Sequence, residues 1–142
     1  MRTQDLSGTG AFRAGGRWND KGTYMLYTSE NSSLALLENL VHFDEQEMPD
    51  DLFIIQINIK DAKLIYELPD SDYPKNWLNT DNLASKILGN QLFKEHKFLG
   101  IKVRSAVNQA EFNILLDPLY PRYHDLVTVN RVLSFPVDRR LM

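Results

Sequence analysis

At 142 residues the chain has room for one hydrophobic core rather than two. Its 43% hydrophobic and 25% charged content belongs to a folded protein and excludes a disordered one. A formal charge of −3 and a pI near 5.6 argue against a broad nucleic-acid footprint, which needs clustered Lys and Arg, but leave room for a local cationic pocket. The absence of cysteine removes disulfides, thiolate metal sites and a thiol nucleophile, and fits a reducing cytoplasm. Met1 to Leu6 lacks the apolar core of a signal peptide, and no run approaches the roughly 18 apolar residues of a membrane span. A cytoplasmic protein without membrane or nucleic-acid contacts is expected.

Asp5 to Gly16, rich in Gly, Ser and Thr, predicts an ordered loop leading into the turn Gly15-Gly16-Arg17-Trp18-Asn19. Two glycines there let the backbone take positive φ or lie against another group, so the residues behind them are presented from a tight turn. Tyr24 to Ser29 predicts a short strand inside a sheet. A helix follows, with Ser29, Asn31 and Ser32 as N-cap candidates and Leu34, Leu37 and Val41 at helical spacing up to about His42. Glu38 falls at the edge of that apolar face.

After an acidic loop from Asp44 to Asp51, Leu52 to Ile59 predicts a strand and Lys63 to Glu67 a shorter one. Pro69 to Trp77, with two prolines and two aspartates, predicts a loop. Thr80 or Asp81 would cap a second helix reaching about Glu95, with Leu83, Ala84, Ile87, Leu88 and Leu92 as its apolar stripe and Gly89 as a weak point. Phe98 to Val103 and Glu111 to Leu116 predict strands, with Arg104-Ser105-Ala106 between them as a turn or strand end, and Leu126 to Val137 supplies one or two more. Strands in runs, without βαβ alternation, predict an α+β fold: a mixed, strand-rich core with two main helices.

The familiar motifs are missing. Gly8-Thr9-Gly10 is followed by Arg13 where a dinucleotide fingerprint needs glycine, and neither a phosphate loop nor a GxSxG elbow occurs. His42, His96 and His124 have no metal-ligand spacing, so no metal is expected. Arg17, Tyr27, Glu38 and Ser105 remain. An arginine can grip phosphate bidentately, a tyrosine can stack on a flat ring, a serine can orient a hydroxyl or amide, and a half-buried glutamate can stabilise developing positive charge. Each also has an ordinary structural alternative: Tyr27 as core, Ser105 as a turn residue, Glu38 as the partner of an arginine.

Their order decides more than their types do. Asp5-Leu6-Ser7-Gly8-Thr9-Gly10-Ala11, Gly15-Gly16-Arg17-Trp18-Asn19, Leu26-Tyr27-Thr28-Ser29 and Leu34-Ala35-Leu36-Leu37-Glu38 resemble the RES domain family, as do Tyr73-Pro74-Lys75-Asn76-Trp77, Leu88-Gly89-Asn90, Val103-Arg104-Ser105-Ala106-Val107 and Glu111 to Pro118 downstream. The resemblance implies one RES domain over residues 1–142 with an ADP-ribosyltransferase-like fold. It further implies a bacterial type II toxin that consumes NAD⁺ as substrate by hydrolysis or phosphorolysis, partnered by an Xre-type helix-turn-helix antitoxin. The alternatives are a mono-ADP-ribosyltransferase acting on protein and a catalytically impaired antitoxin-binding module. Carried over by position, Arg17, Tyr27, Glu38 and Ser105 become the catalytic set. Arg17, Trp18, Asn19, Tyr27 and Ser105 become the nucleotide contacts, with Trp18 and Asn19 also shaping the turn. The family's usual strand with a Tyr-Arg pair before the Leu-Ser-Gly block is not expected here, leaving Arg2 as a partial substitute. Arg104 replaces the usual proline before the serine, as a phosphate contact or a changed turn.

Overall fold

The computed structural model describes residues 5–41, 51–80, 83–138 and 140. Arg2, His42, the acidic loop before Asp51 and the capping candidate Asp81 lie outside them.

The main sheet has the order β1-β5-β4-β3, with β1 at Leu26–Ser29, β3 at Ile65–Glu67, β4 at Gly100–Arg104 and β5 at Phe112–Leu116. β1 and β4 flank β5 antiparallel, whereas β3 runs parallel to β4. A parallel pair needs a long crossover. Helix α3 (Leu83–Phe93) provides it, so the predicted strand, helix and strand here form one parallel unit in a fold expected to have no βαβ alternation. A separate antiparallel ribbon joins β2 (Asp51–Ile59) to β6 (Val127–Pro136). Helix α2 (Ser32–Leu40) and the short helices α1 (Thr9–Ala14) and α4 (Tyr123–Leu126) complete the mixed α+β architecture.

The sheet divides two cores. Ile101, Val103 and Leu115 pack with Trp18, Met25, Leu68 and Phe93 on one side. Leu99 and Leu116 pack with Tyr123 and Val127 on the other, where Ile57 and Ile59 bring in the base of the ribbon. This follows from strand alternation, since Gly100 pairs with Leu116 while Ile101 pairs with Leu115.

Several local expectations are corrected. The stretch Asp5 to Gly16 contains α1 rather than only loop, and among the described residues β1 lies at the sheet edge instead of inside it. Its apolar character reflects packing on its faces by α1 and α2, not strands on both sides. Of the predicted α2 stripe only Leu34 is buried, with Leu37 and Val41 at 40% and 59% exposure.

Helix α3 departs most from its predicted face. Leu83 and Ile87 are exposed, and Ser85, Gly89 and Phe93 point inward. The cause is steric: a Cβ at position 89 would stand 1.7 Å from the Trp18 carbonyl oxygen, so only glycine lets the helix lie this close to the turn. Gly89 is therefore the contact point of the helix rather than its weak point. Gly89→Ala gains about 1 kcal/mol of helix propensity, but it must displace backbone, and overpacking typically costs about 1–3 kcal/mol or more. We expect a net loss of about 2 kcal/mol of unfolding free energy in urea. Unchanged stability would show that helix and turn can separate freely.

Candidate functional site

The site has two supports, the turn after α1 and the polar end of one sheet face. Gly15, at φ 75°, ends α1 and donates its N–H to the Ala11 carbonyl, and the Gly16 N–H closes the turn on the Asn19 carbonyl at 3.0 Å. Tyr27 on β1 secures the turn from below. Its hydroxyl donates to Asn19 Oδ1 at 2.8 Å and accepts the Trp18 N–H at 2.9 Å. A Cβ on residue 16 would come within 2.6 Å of that hydroxyl, which makes Gly16 the position that admits Tyr27. Burial pushes the Tyr27 phenol well above its ordinary pKa, although 38% of the residue remains exposed. The hydroxyl is committed to the turn. The ring is the part left for a ligand.

Helix α3 secures the same turn from the other side. Lys86 Nζ donates to the carbonyls of Gly16 at 2.5 Å and Asn19 at 3.4 Å. The Asn90 amide exchanges hydrogen bonds with the side chain and backbone N–H of Asp20. These contacts join residues 67 to 70 positions apart, and no local spacing announces Lys86. Trp18 and Asn19, expected among the nucleotide contacts, are built into the packing of the turn. Trp18 is 3% exposed and packs in the core against Tyr73 and Trp77. Asn19 is 0% exposed, with its NH2 shared among the carbonyls of Ala11, Asp20 and Thr23. Both shape the turn, and every hydrogen bond of the Asn19 side chain among the described residues is made to the turn or to the segments beside it.

Arg17 differs from its neighbours. Its Nη1 donates to the Trp77 carbonyl at 2.7 Å and the Asn79 carbonyl at 3.2 Å. Nε and Nη2 have no partner among the described residues, so the guanidinium is held by one corner and presents the edge suited to a bidentate oxyanion contact. Arg104, the other candidate cation, is engaged. It forks onto Asp70 at 2.8 and 3.1 Å, donates to the Gln109 carbonyl and lies over the Phe112 ring.

Strand register builds the second support. Tyr27 pairs with Leu115 and Leu115 with Ile101, whereas Ser29 pairs with Asn113 and Asn113 with Val103. All six share one face. Ser105 continues that face beyond β4, because its N–H still reaches the Glu111 carbonyl at 2.9 Å. Helix α2 begins at Asn31, whose side chain accepts the Leu34 N–H, and delivers the half-buried Glu38 to this polar end. Ser105 Oγ donates to Glu38 Oε1 at 2.5 Å, and Asn113 Nδ2 donates to the same oxygen at 2.9 Å. No arginine pairs with Glu38 among the described residues, and its Oε2 has no partner there. Ser105 is 0% exposed, and its oxygen also accepts the N–H groups of Val107 and Asn108. Its one proton is committed to Glu38, which favours carboxylate positioning over a ligand contact.

Arg17, Tyr27 and Glu38 border one groove of about 1550 Å³, walled by the turn, β1, α2 and the β2–β6 ribbon. That exceeds the roughly 300–1,000 Å³ of an ordinary small-molecule cleft and suits an extended ligand. Asn113 also lines the groove, a residue the sequence reading missed; its signal was a polar side chain on the inward face of a strand. Among the described residues, no group of three or more His, Asp or Glu side chains is arranged to hold a metal ion, and no helix is long and apolar enough to cross a membrane. His96 pairs through Nδ1 with the buried Asp117 at 2.7 Å.

Tyr27→Phe tests the turn's scaffold, because it leaves the Trp18 N–H and Asn19 Oδ1 unpaired. The expected loss is about 1–3 kcal/mol of stability, measured by chemical denaturation. No loss would mean that the hydroxyl does not hold the turn.

The match to the RES domain model spans residues 2–138. The chain is similar to a Toxin Res from Yersinia enterocolitica, 33% identical over 136 residues that cover 95% of this chain and 89% of that one. It also resembles the Prs ADP-ribosylating toxin of a Sphingobium species, 29% identical over 120 residues that cover 82% and 74%. Among solved structures, a chain of the M. tuberculosis MbcT–MbcA toxin–antitoxin complex superposes with a TM-score of 0.67 at 18% identity, covering 96% of this chain and 79% of that one. This likeness establishes the shared fold, which is compatible with an ADP-ribosyltransferase-like one. On a family match that runs nearly end to end, the chain belongs to the RES domain family.

Proposed function

We propose that this chain is the toxin of a type II toxin–antitoxin pair and breaks the bond between nicotinamide and ribose in NAD⁺. The observation that carries the proposal is the Glu38 carboxylate, with Oε1 held by Ser105 and Asn113 and Oε2 lacking a partner among the described residues, beside a large groove. Loss of nicotinamide builds oxocarbenium character on the ribose. A carboxylate already fixed in place stabilises that charge without reorganising, which is the differential stabilisation catalysis requires. Its free oxygen also suits a base acting on the acceptor water or phosphate.

Arg17 would receive a phosphate of the dinucleotide on its Nε–Nη2 edge, and the exposed Tyr27 ring would pack against the nicotinamide ribose end. Ser105 would act through Glu38. The antitoxin, of Xre type with a helix-turn-helix, and action in the cytoplasm belong to the same proposal. The solved MbcT–MbcA complex supports an antitoxin partner because it is itself a toxin–antitoxin assembly. The competing activity is ADP-ribosyl transfer to a protein, favoured by the relative named Prs ADP-ribosylating toxin. Labelled NAD⁺ in cell extract separates them, since transfer carries label into protein and hydrolysis or phosphorolysis leaves it in small molecules.

Purified protein incubated with NAD⁺ should release nicotinamide, and Glu38→Gln should slow that release by roughly 100-fold or more while the unfolding midpoint holds. A variant running at the parent rate would remove Glu38 from the mechanism. A parent that releases no nicotinamide even with phosphate or cell extract supplied as acceptor would instead be a binding module. Arg17→Ala should raise the KM for NAD⁺ roughly 10- to 100-fold with kcat little changed, as for loss of a charge-assisted contact made equally in ground and transition states. A pure kcat effect would put Arg17 at the transition state.

A further inference from the structure

We infer that Asn113, oriented by Ser29, is a positioning residue that fixes the Glu38 carboxylate together with Ser105; its catalytic consequence rests on the NAD⁺-cleaving function proposed above. Asn113 lies on β5 between the flanking strands β1 and β4, the most constrained place in this part of the sheet. Its amide spans two partners, with Nδ2 at 2.9 Å from Glu38 Oε1 and Oδ1 at 3.0 Å from Ser29 Oγ.

The direction of this chain of hydrogen bonds is determined. An ionised carboxylate only accepts, so the amide must turn its NH2 toward Glu38, and its carbonyl oxygen must then face Ser29. Ser29 is consequently the donor. It stands directly across the ladder from Asn113, so the β1–β5 register itself sets the amide's orientation. Ser105 is directed in the same way, because its oxygen accepts two backbone N–H groups and its proton goes to Glu38.

Both donors meet the same oxygen. A carboxylate held by Ser105 alone could pivot about that one contact, and its free oxygen would sweep through the groove. A second donor from a different strand stops the pivot and fixes where Oε2 stands. Positional tolerance at a reacting centre is tight enough that such an error is costly to rate. Asn113 therefore governs kcat through Glu38, without requiring contact with the substrate.

The test is nicotinamide release by the full chain. Asn113→Ala should lower kcat roughly 10- to 100-fold, the loss expected for a hydrogen bond to a charged group, with KM for NAD⁺ within about 3-fold of the parent. Asn113→Asp keeps the shape but has no donor and opposes Glu38 with like charge, so it should fall further. Ser29→Ala should lower kcat, and Ser29→Thr, which retains the hydroxyl, should restore it. A parent-like kcat in Asn113→Ala, or an effect confined to KM, overturns the inference. A second readout needs no turnover: in ¹⁵N–¹H spectra the Asn113 side-chain amide protons should move between parent and Glu38→Ala while the backbone pattern persists. Resonances that stay in place overturn the contact. A parent that releases no nicotinamide counts against the proposed function alone, because the spectra still decide whether Asn113 holds Glu38.

Discussion

The turn Gly15–Asn19 has no continuing ladder or helix of its own, so its buried polar groups must be met from elsewhere. The rest of the site depends on how that requirement is satisfied. The Tyr27 hydroxyl meets the Trp18 N–H and the Asn19 side chain from the sheet, and Lys86 meets the carbonyls of Gly16 and Asn19 from α3. Both supports require missing side chains. Gly16 makes room for Tyr27, and Gly89 lets α3 come down on the Trp18 carbonyl. A turn held this way is rigid without being regular, and Arg17 inherits that rigidity.

The two side chains proposed for the chemistry are prepared by the same principle with opposite charge. Arg17 gives one corner of its guanidinium to backbone carbonyls and keeps a forked edge open. Glu38 gives one oxygen to Ser105 and Asn113 and keeps the other open. Neither is neutralised by an ion pair among the described residues, so each is oriented by neutral dipoles while its charge remains available to a ligand. Ion pairing occurs instead at Arg104 with Asp70, where the cation is thereby withdrawn.

What was legible in the sequence had local physical causes. Two adjacent glycines marked the turn, Asn31 marked the start of α2, and the angular position of Glu38 marked it as half-buried. What was not legible depended on contacts between distant segments. The inward face of α3 was misread because apolar periodicity favoured Leu83 and Ile87, whereas the closest approach to the turn selected Ser85 and Gly89. β1 read as interior because its apolar residues are covered by helices rather than neighbouring strands. Lys86 lies in no recognisable motif, and Asn113, though inside the Glu111 to Pro118 block, has no role assigned by it. Asn113 alone left a trace, as a polar residue in step with Leu115 on an inward strand face.

The groove's far wall follows different rules. The β2–β6 ribbon is anchored where Ile57, Ile59 and Val127 join the second core, and its outer part carries exposed Phe53 and Leu133. A bulge separates these regions: Gln56 pairs with Arg131 but Ile57 with Val129, leaving Asn130 extra, and both Asn130 and Arg131 turn onto the Gln56 side chain. A two-stranded ribbon is marginal by itself, so it relies on this anchorage to the second core. Glu38 and Arg17, by contrast, are set by the main sheet, α2, the loop at Trp77–Asn79 and the turn clamped by α3. The groups proposed for the chemistry are therefore positioned by elements other than this wall.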